Sequence, residues 1–87
     1  MELHASDAAG IRLASQRVAA ELRAELARQK RSGRELSVVL GISEHTMGRR
    51  LNGETPFNMV ELAAACLWLG ISLTDLIRRA EAAELAS

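Results

Sequence analysis

Ser32-Gly33-Arg34-Glu35-Leu36-Ser37-Val38-Val39-Leu40-Gly41-Ile42-Ser43-Glu44-His45-Thr46-Met47-Gly48-Arg49-Arg50-Leu51-Asn52-Gly53 is the stretch on which the fold turns. Ser32 followed three residues later by Glu35 has the form of a capping box, so a helix opens there. Leu36, Val39 and Leu40 give it a single apolar stripe, and Gly41 stands where a left-handed cap residue is wanted. Ile42 is apolar and Ser43 can cap a further helix, Glu44 to Leu51, which Asn52-Gly53 ends. Only Gly41, Ile42 and Ser43 separate the two helices. Short helices joined this tightly cross steeply, a geometry that lets the second lie in the major groove of DNA while the first braces across the backbone. Leu36, Leu40, Ile42, Met47 and Leu51 are spaced to lock the pair onto the rest of the chain, which leaves Glu44, His45, Gly48 and Arg49 on the opposite face.

Upstream, Ile11, Val18, Leu22 and Leu26 recur at helical spacing, and a long amphipathic helix is expected from Ile11 to about Lys30. Residues 1–14 read as an N-terminal arm or helix start, with Asp7 a candidate N-cap, and 15–87 as the domain proper. Downstream, Glu54 to Phe57 is a loop holding the only proline. Met59, Val60, Leu62, Ala63, Cys66, Leu67 and Leu69 then form an almost wholly apolar helix ended by Gly70, expected to be the central core element. Ser72-Leu73-Thr74-Asp75 has the form of another capping box and opens a final helix carrying Leu73, Leu76, Ile77, Ala80 and Leu85. The expected fold is all-α, a compact five-helix domain.

Composition agrees. The 87 residues are 48% apolar, enough for one small core, and Phe57 and Trp68 are the only aromatics in a chain dominated by helix-forming residues, so no strand is expected. A lone cysteine, Cys66, excludes a disulfide within the chain and suits a reducing compartment. The longest apolar run, Leu62 to Ile71, is about half the roughly 20 residues a membrane span needs. Nothing at the N-terminus has the form of a signal region, and a cytoplasmic location is expected. The net charge is zero, yet it is segregated: nine Arg and Lys face four Glu over 12–50, against two Arg and five acids from Leu51 onward. One basic and one acidic side are expected.

If the exposed face of the third helix meets DNA, its residue types suit base edges. Arg49 can grip guanine O6 and N7 with two hydrogen bonds, Glu44 can accept from cytosine N4, and neutral His45 offers a donor and an acceptor. Gly48, in mid-helix, costs about 1 kcal/mol relative to alanine and would permit close approach to the groove. Phosphate contacts are expected from Ser32, Arg34, Ser43 and Thr46 near helix N-termini and from Arg50, Asn52 and Thr55 around the exit, with the basic run Arg28 to Arg34 adding to them. No nucleophile stands beside a base and no phosphate-binding glycine loop occurs, so no enzymatic activity, cofactor or small-molecule ligand is expected. His4, His45 and Cys66 are too scattered to form a metal site. Leu73, Leu76, Ile77 and Ala80 would serve both as a lid on the core and as dimer contacts, since one such motif reads only one half-site.

The run from Ser32 to Gly53, with Leu69-Gly70-Ile71-Ser72 further on, resembles the helix-turn-helix domain of the Cro and lambda-repressor type, the xenobiotic-response-element family. The resemblance extends from about Val18 to Ile77. It departs at Gly33, where the family often has a phosphate-contacting glutamine, and at Ser37, where it has a small alanine; the Ser37 hydroxyl is expected to bond back to its own helix. The resemblance implies a homodimeric repressor of phage or mobile-element type, bound to a palindromic operator in double-stranded DNA. The rival reading is an antitoxin or adaptor that holds a protein partner, using the acidic C-terminal half. A monomeric architectural protein that bends DNA is a third.

Overall fold

Five helices, α1 (Ala5–Arg28), α2 (Gly33–Leu40), α3 (Glu44–Leu51), α4 (Met59–Leu69) and α5 (Leu73–Ala86), make up the fold. Residues 5–86 are those described by the structure, a computed structural model, and no strand occurs among them. α1 starts at Ala5, so Asp7 lies inside the helix and is not its N-cap, and the predicted arm is helical from there on. Residues 1–4 of that arm, His4 included, lie outside the described residues.

The core is the meeting of one stripe from each helix. Leu22 and Leu26 of α1, Leu36 of α2, Met47 of α3, Ala65, Cys66 and Leu69 of α4 and Leu76 of α5 are buried together, with Leu40, Ile42 and Leu51 packed against them. Each fully buried Leu or Met among them contributes about 1.5–3 kcal/mol. The five residues expected to lock α2 and α3 in place therefore do so. Ile11 does not join them and is mostly exposed, because the first turns of α1 run past the core. α4 departs further from expectation. Only one side of it is core; Met59, Val60, Ala63 and Leu67 face outward.

Leu76 and Ala80 drop out of the four expected dimer contacts on α5. Both are buried against this chain's own core, where no second molecule can reach them; Leu73 and Ile77 are half-buried. α5 is the lid on α1.

A second role of α1 is electrostatic. The final carbonyls of a helix lack partners within it and carry partial negative charge, which favours cationic donors. α1 and the turn after it supply side-chain donors, three of them cationic, to three other helices: Arg23 Nη1 donates to the Leu51 carbonyl at the end of α3, and the neutral Gln29 Nε2 to the Leu69 carbonyl of α4 at 2.7 Å. Arg31 Nη1 donates to the Trp68 carbonyl at 2.9 Å, and Arg17 Nη1 to the Ala83 carbonyl of α5 at 3.1 Å. The Arg31 guanidinium also lies 4.3 Å from the centre of the Trp68 ring, a cation–π contact.

Part of the basic surplus of 12–50, namely Arg17, Arg23 and Arg31, is thus engaged with the ends of other helices. Arg28, with Gln29 and Arg79, surrounds the buried Glu25 carboxylate; among the basic residues of that stretch, Arg12, Lys30, Arg34 and Arg49 are exposed without a buried partner of this kind.

No single helix among the described residues is long and apolar enough to cross a membrane; α4 and α5, the most apolar consecutive pair, bend by 103° between them.

Candidate nucleic-acid interface

The turn between α2 and α3 is built as the residue types require. Gly41 takes φ +68°, a left-handed conformation open to glycine at little cost, and its N–H and that of Ile42 bond back to the Val38 and Ser37 carbonyls at 3.2 and 3.1 Å. The Ser37 hydroxyl donates to the Arg34 carbonyl at 2.6 Å, within its own helix as expected. Ser32 and Glu35 form the full capping box at the start of α2, and Ser43 Oγ accepts from the Thr46 N–H at 3.0 Å at the start of α3.

α3 is held at three points. Met47 is buried in its middle, Leu51 packs at its end, and its exit is pinned by Gly53. Gly53 has φ +76°, and a Cβ there would stand 2.8 Å from the Gln16 Cα, so the loop lies directly on the backbone of α1. α2 meets α3 through side chains: a Cβ on Gly33 would lie 2.8 Å from Leu51 Cδ1, the end of a flexible side chain that can shift.

The opposite face of α3 is free of the core. Glu44, His45 and Arg49 are exposed, and a Cβ added at Gly48 would meet nothing within 4 Å. No packing in the described structure asks for glycine at 48. Gly33, Arg34, Glu44, Met47, Gly48 and Leu51 line a shallow open depression between the start of α2 and this face.

The two exposed arginines of the region have surface partners: Arg34 Nε is 2.8 Å from Glu44 Oε1, and Arg49 Nε is 3.7 Å from Glu54 Oε2. Exposed pairs of this sort are worth about 0–1 kcal/mol, so neither guanidinium is committed. Among the remaining candidates, Ser32, Ser43 and Asn52 are exposed and Thr46 and Thr55 half-buried, all around the ends of α2 and α3.

Arg50 is the exception. Its guanidinium is turned inward to Glu61, Nε to Oε1 at 3.0 Å and Nη2 to Oε2 at 3.3 Å, with side chains only 19% and 11% exposed. Glu61 is also the capping partner of Asn58: its carboxylate accepts the Asn58 N–H at 2.9 Å, while Asn58 Oδ1 accepts the Glu61 N–H at 2.8 Å. Arg50 therefore joins α3 to the start of α4 and is removed from the phosphate-contact set. Arg31 leaves that set too, held by the end of α4 and the Trp68 ring, whereas Arg28, paired with Glu25 but with its side chain 53% exposed, stays in it.

Sequence reasoning missed both carboxylates. Asn58-x-x-Glu61 has the same capping-box form as Ser32-x-x-Glu35 and was readable, whereas Glu25 gave no local signal, because one of its partners, Arg79, lies on α5. At Ser72 the box is half formed: Ser72 Oγ accepts the Asp75 N–H at 2.9 Å, and the Asp75 carboxylate pairs with Arg79 at 2.7 Å.

Among the described residues no three His, Cys, Asp or Glu side chains are grouped to hold a metal ion, and burial pushes the Cys66 thiol pKa up, away from the thiolate that metals and electrophiles require. The chain matches no protein-family model, no curated protein and no solved structure.

Proposed function

We propose that this protein is a sequence-specific DNA-binding regulator of transcription, a repressor of the Cro and lambda-repressor type, that lays α3 in the major groove of double-stranded DNA. The observation that carries the reading is the outer face of α3: a short helix anchored from behind by Met47 and Leu51, presenting Glu44, His45 and Arg49 to solvent around a glycine that no packing demands. The resemblance of 32–53 to that family supports it. So does the placement of two capped helix N-termini beside this face, where backbone N–H groups attract phosphate oxygens.

In this reading Arg49 reads a guanine, and Glu44 and His45 neighbouring bases. Ser32, Arg34, Ser43, Thr46, Asn52 and Thr55 fix the register on the backbone. Binding breaks the Arg34–Glu44 and Arg49–Glu54 pairs at little cost, since both are solvated.

Arg49→Ala is expected to weaken binding to a selected site by about 1–3 kcal/mol and to erase discrimination at one base pair alone. Titrating the variant against every single-base substitution of that site checks it; uniform weakening at all positions would make Arg49 a phosphate contact.

Gly48→Ala carries two effects of opposite sign. Helix propensity raises the stability of the free protein by about 0.5–1 kcal/mol, while the added methyl group intrudes on the groove and lowers DNA affinity. A thermal melt and a binding titration on the same sample separate them. A variant that is both more stable and equally tight would show that the helix does not approach DNA at residue 48.

A further inference from the structure

We infer that Glu54 is a specificity-determining residue: from the loop after α3 it keeps Arg49 off the DNA backbone, so that the guanidinium grips the uncharged edge of a base and not a phosphate. The inference rests on the reading of α3 as the helix that enters the major groove.

Among the charged residues of α3 and its exit, Arg50 serves the fold, and Glu44, His45 and Arg49 are the base readers of that reading. Glu54 has neither task. Its side chain is 59% exposed, a carboxylate standing between Asn52 and Thr55 on the side where a polyanion would lie. Its place is nevertheless fixed. The Glu54 and Thr55 N–H groups both donate to the Arg49 carbonyl, at 3.0 and 3.3 Å, and Gly53 before them, at φ +76°, lies on the backbone of α1. The chain therefore turns back on Arg49 as it leaves α3, and the Glu54 carboxylate ends with Oε2 3.7 Å from Arg49 Nε.

The two partners that DNA offers Arg49 differ in charge. Guanine O6 and N7 are uncharged acceptors, whereas a phosphate carries a full negative charge and recurs at every step of either strand, whatever the sequence. A phosphate gripped by Arg49 comes within one guanidinium's width of the Glu54 carboxylate, and the two like charges repel. The edge of a guanine meets no such repulsion. Glu54 thus penalises the wrong partner and spares the right one, which is how a charge confers specificity without a contact of its own. The Arg34–Glu44 pair differs, because in the same reading Glu44 has cytosine N4 to accept from, so opening that pair leaves no stranded carboxylate beside the phosphate.

Salt titrations of the wild-type chain and Glu54→Gln on two duplexes test this: the sequence that the wild-type chain enriches from a random pool, and a scrambled duplex of equal length. The variant is expected to gain affinity on both, but by about threefold more on the scrambled duplex, so that discrimination falls. On the scrambled duplex alone its salt slope should steepen by about 0.9, the increment for one added phosphate contact. Melting temperatures should agree, because the loop is held through its backbone and the side chain is exposed. In an Arg49→Ala chain, Glu54→Gln is expected to shift both duplexes alike. Equal tightening on both duplexes with Arg49 present would reduce Glu54 to its share of the net charge and overturn the inference. No change on either, or a loss of discrimination that persists without Arg49, would overturn it too. A wild-type chain that does not tell the two duplexes apart refutes the DNA reading itself.

Discussion

Glu61→Ala is expected to lower the free energy of unfolding by about 3–5 kcal/mol, the range for removing one partner of a buried ion pair and stranding the other. The loss has two parts. Arg50 keeps its charge in a site where its side chain is only 19% exposed, and the Asn58 N–H at the start of α4 loses its acceptor. Against a typical domain stability of about 5–15 kcal/mol this is a large fraction, and the urea midpoint should fall accordingly. Glu61→Gln keeps an acceptor for the Asn58 N–H while discarding the charge, and should fall between wild type and alanine. The same measurement decides the role of Arg50. A cost below about 1 kcal/mol, the value of a solvated pair, would mean that the guanidinium reaches water freely, and would return Arg50 to the candidate phosphate contacts.

Glu25→Ala is expected to cost about 2–3 kcal/mol. Its buried carboxylate accepts from Gln29 Nε2 at 3.0 Å, from Arg28 Nε and Nη2 at 2.8 and 2.6 Å, and from Arg79 Nη1 at 3.0 Å, joining α1 to α5. Hydrogen bonds to a charged group contribute about 1.5–3 kcal/mol, and the cost stays below that of Glu61→Ala because Arg28 and Arg79 can turn to solvent once released.

Both carboxylates bear on acid stability. The Gln29 hydrogen bond first, then Arg28 and Arg79, hold the Glu25 pKa below the ordinary glutamate value. Burial alone would push Glu61 up, but Arg50 and the Asn58 N–H outweigh it and the net shift is also downward. A pKa lower in the folded than in the unfolded state contributes stability that is complete above the unfolded value, about 4.3, and is lost as pH falls through the folded one. The urea midpoint of the wild-type chain should therefore hold from neutral pH to about pH 5 and decline below it, and the decline should be shallower in Glu25→Ala. Equal acid sensitivity in the two proteins would contradict the assignment.

The elements legible in the sequence were those announced by local chemistry. Ser32 with Glu35, Gly41, Ser43 and Gly53 mark their own boundaries because a cap or a left-handed turn is satisfied within a few residues, and α2 and α3 fall where those marks put them. The stripe Leu36, Leu40, Ile42, Met47 and Leu51 was legible for a similar reason: helical periodicity fixes which residues share a face before any partner is known.

What was not legible depends on residues far apart in the chain. Arg17, Arg23 and Arg31 look in sequence like a basic surface, and only the packing of α1 across the ends of α3, α4 and α5 turns them into caps. Leu76 and Ala80 read equally well as core or as interface until α5 is seen lying on α1. α4 misled in the other direction. An almost wholly apolar helix is expected to be the central core element, and only the placement of the other four helices leaves one side of it uncovered.

The face of α3 is the central claim, and selection of bound sequences from a random pool of double-stranded DNA, followed by a salt titration on the enriched sequence, tests it most directly. The account predicts enrichment of an inverted repeat with half-sites about one helical turn apart, and an affinity that falls steeply with salt as phosphate contacts are screened. Failure of any sequence to enrich, with only weak binding that vanishes at moderate salt, would contradict it.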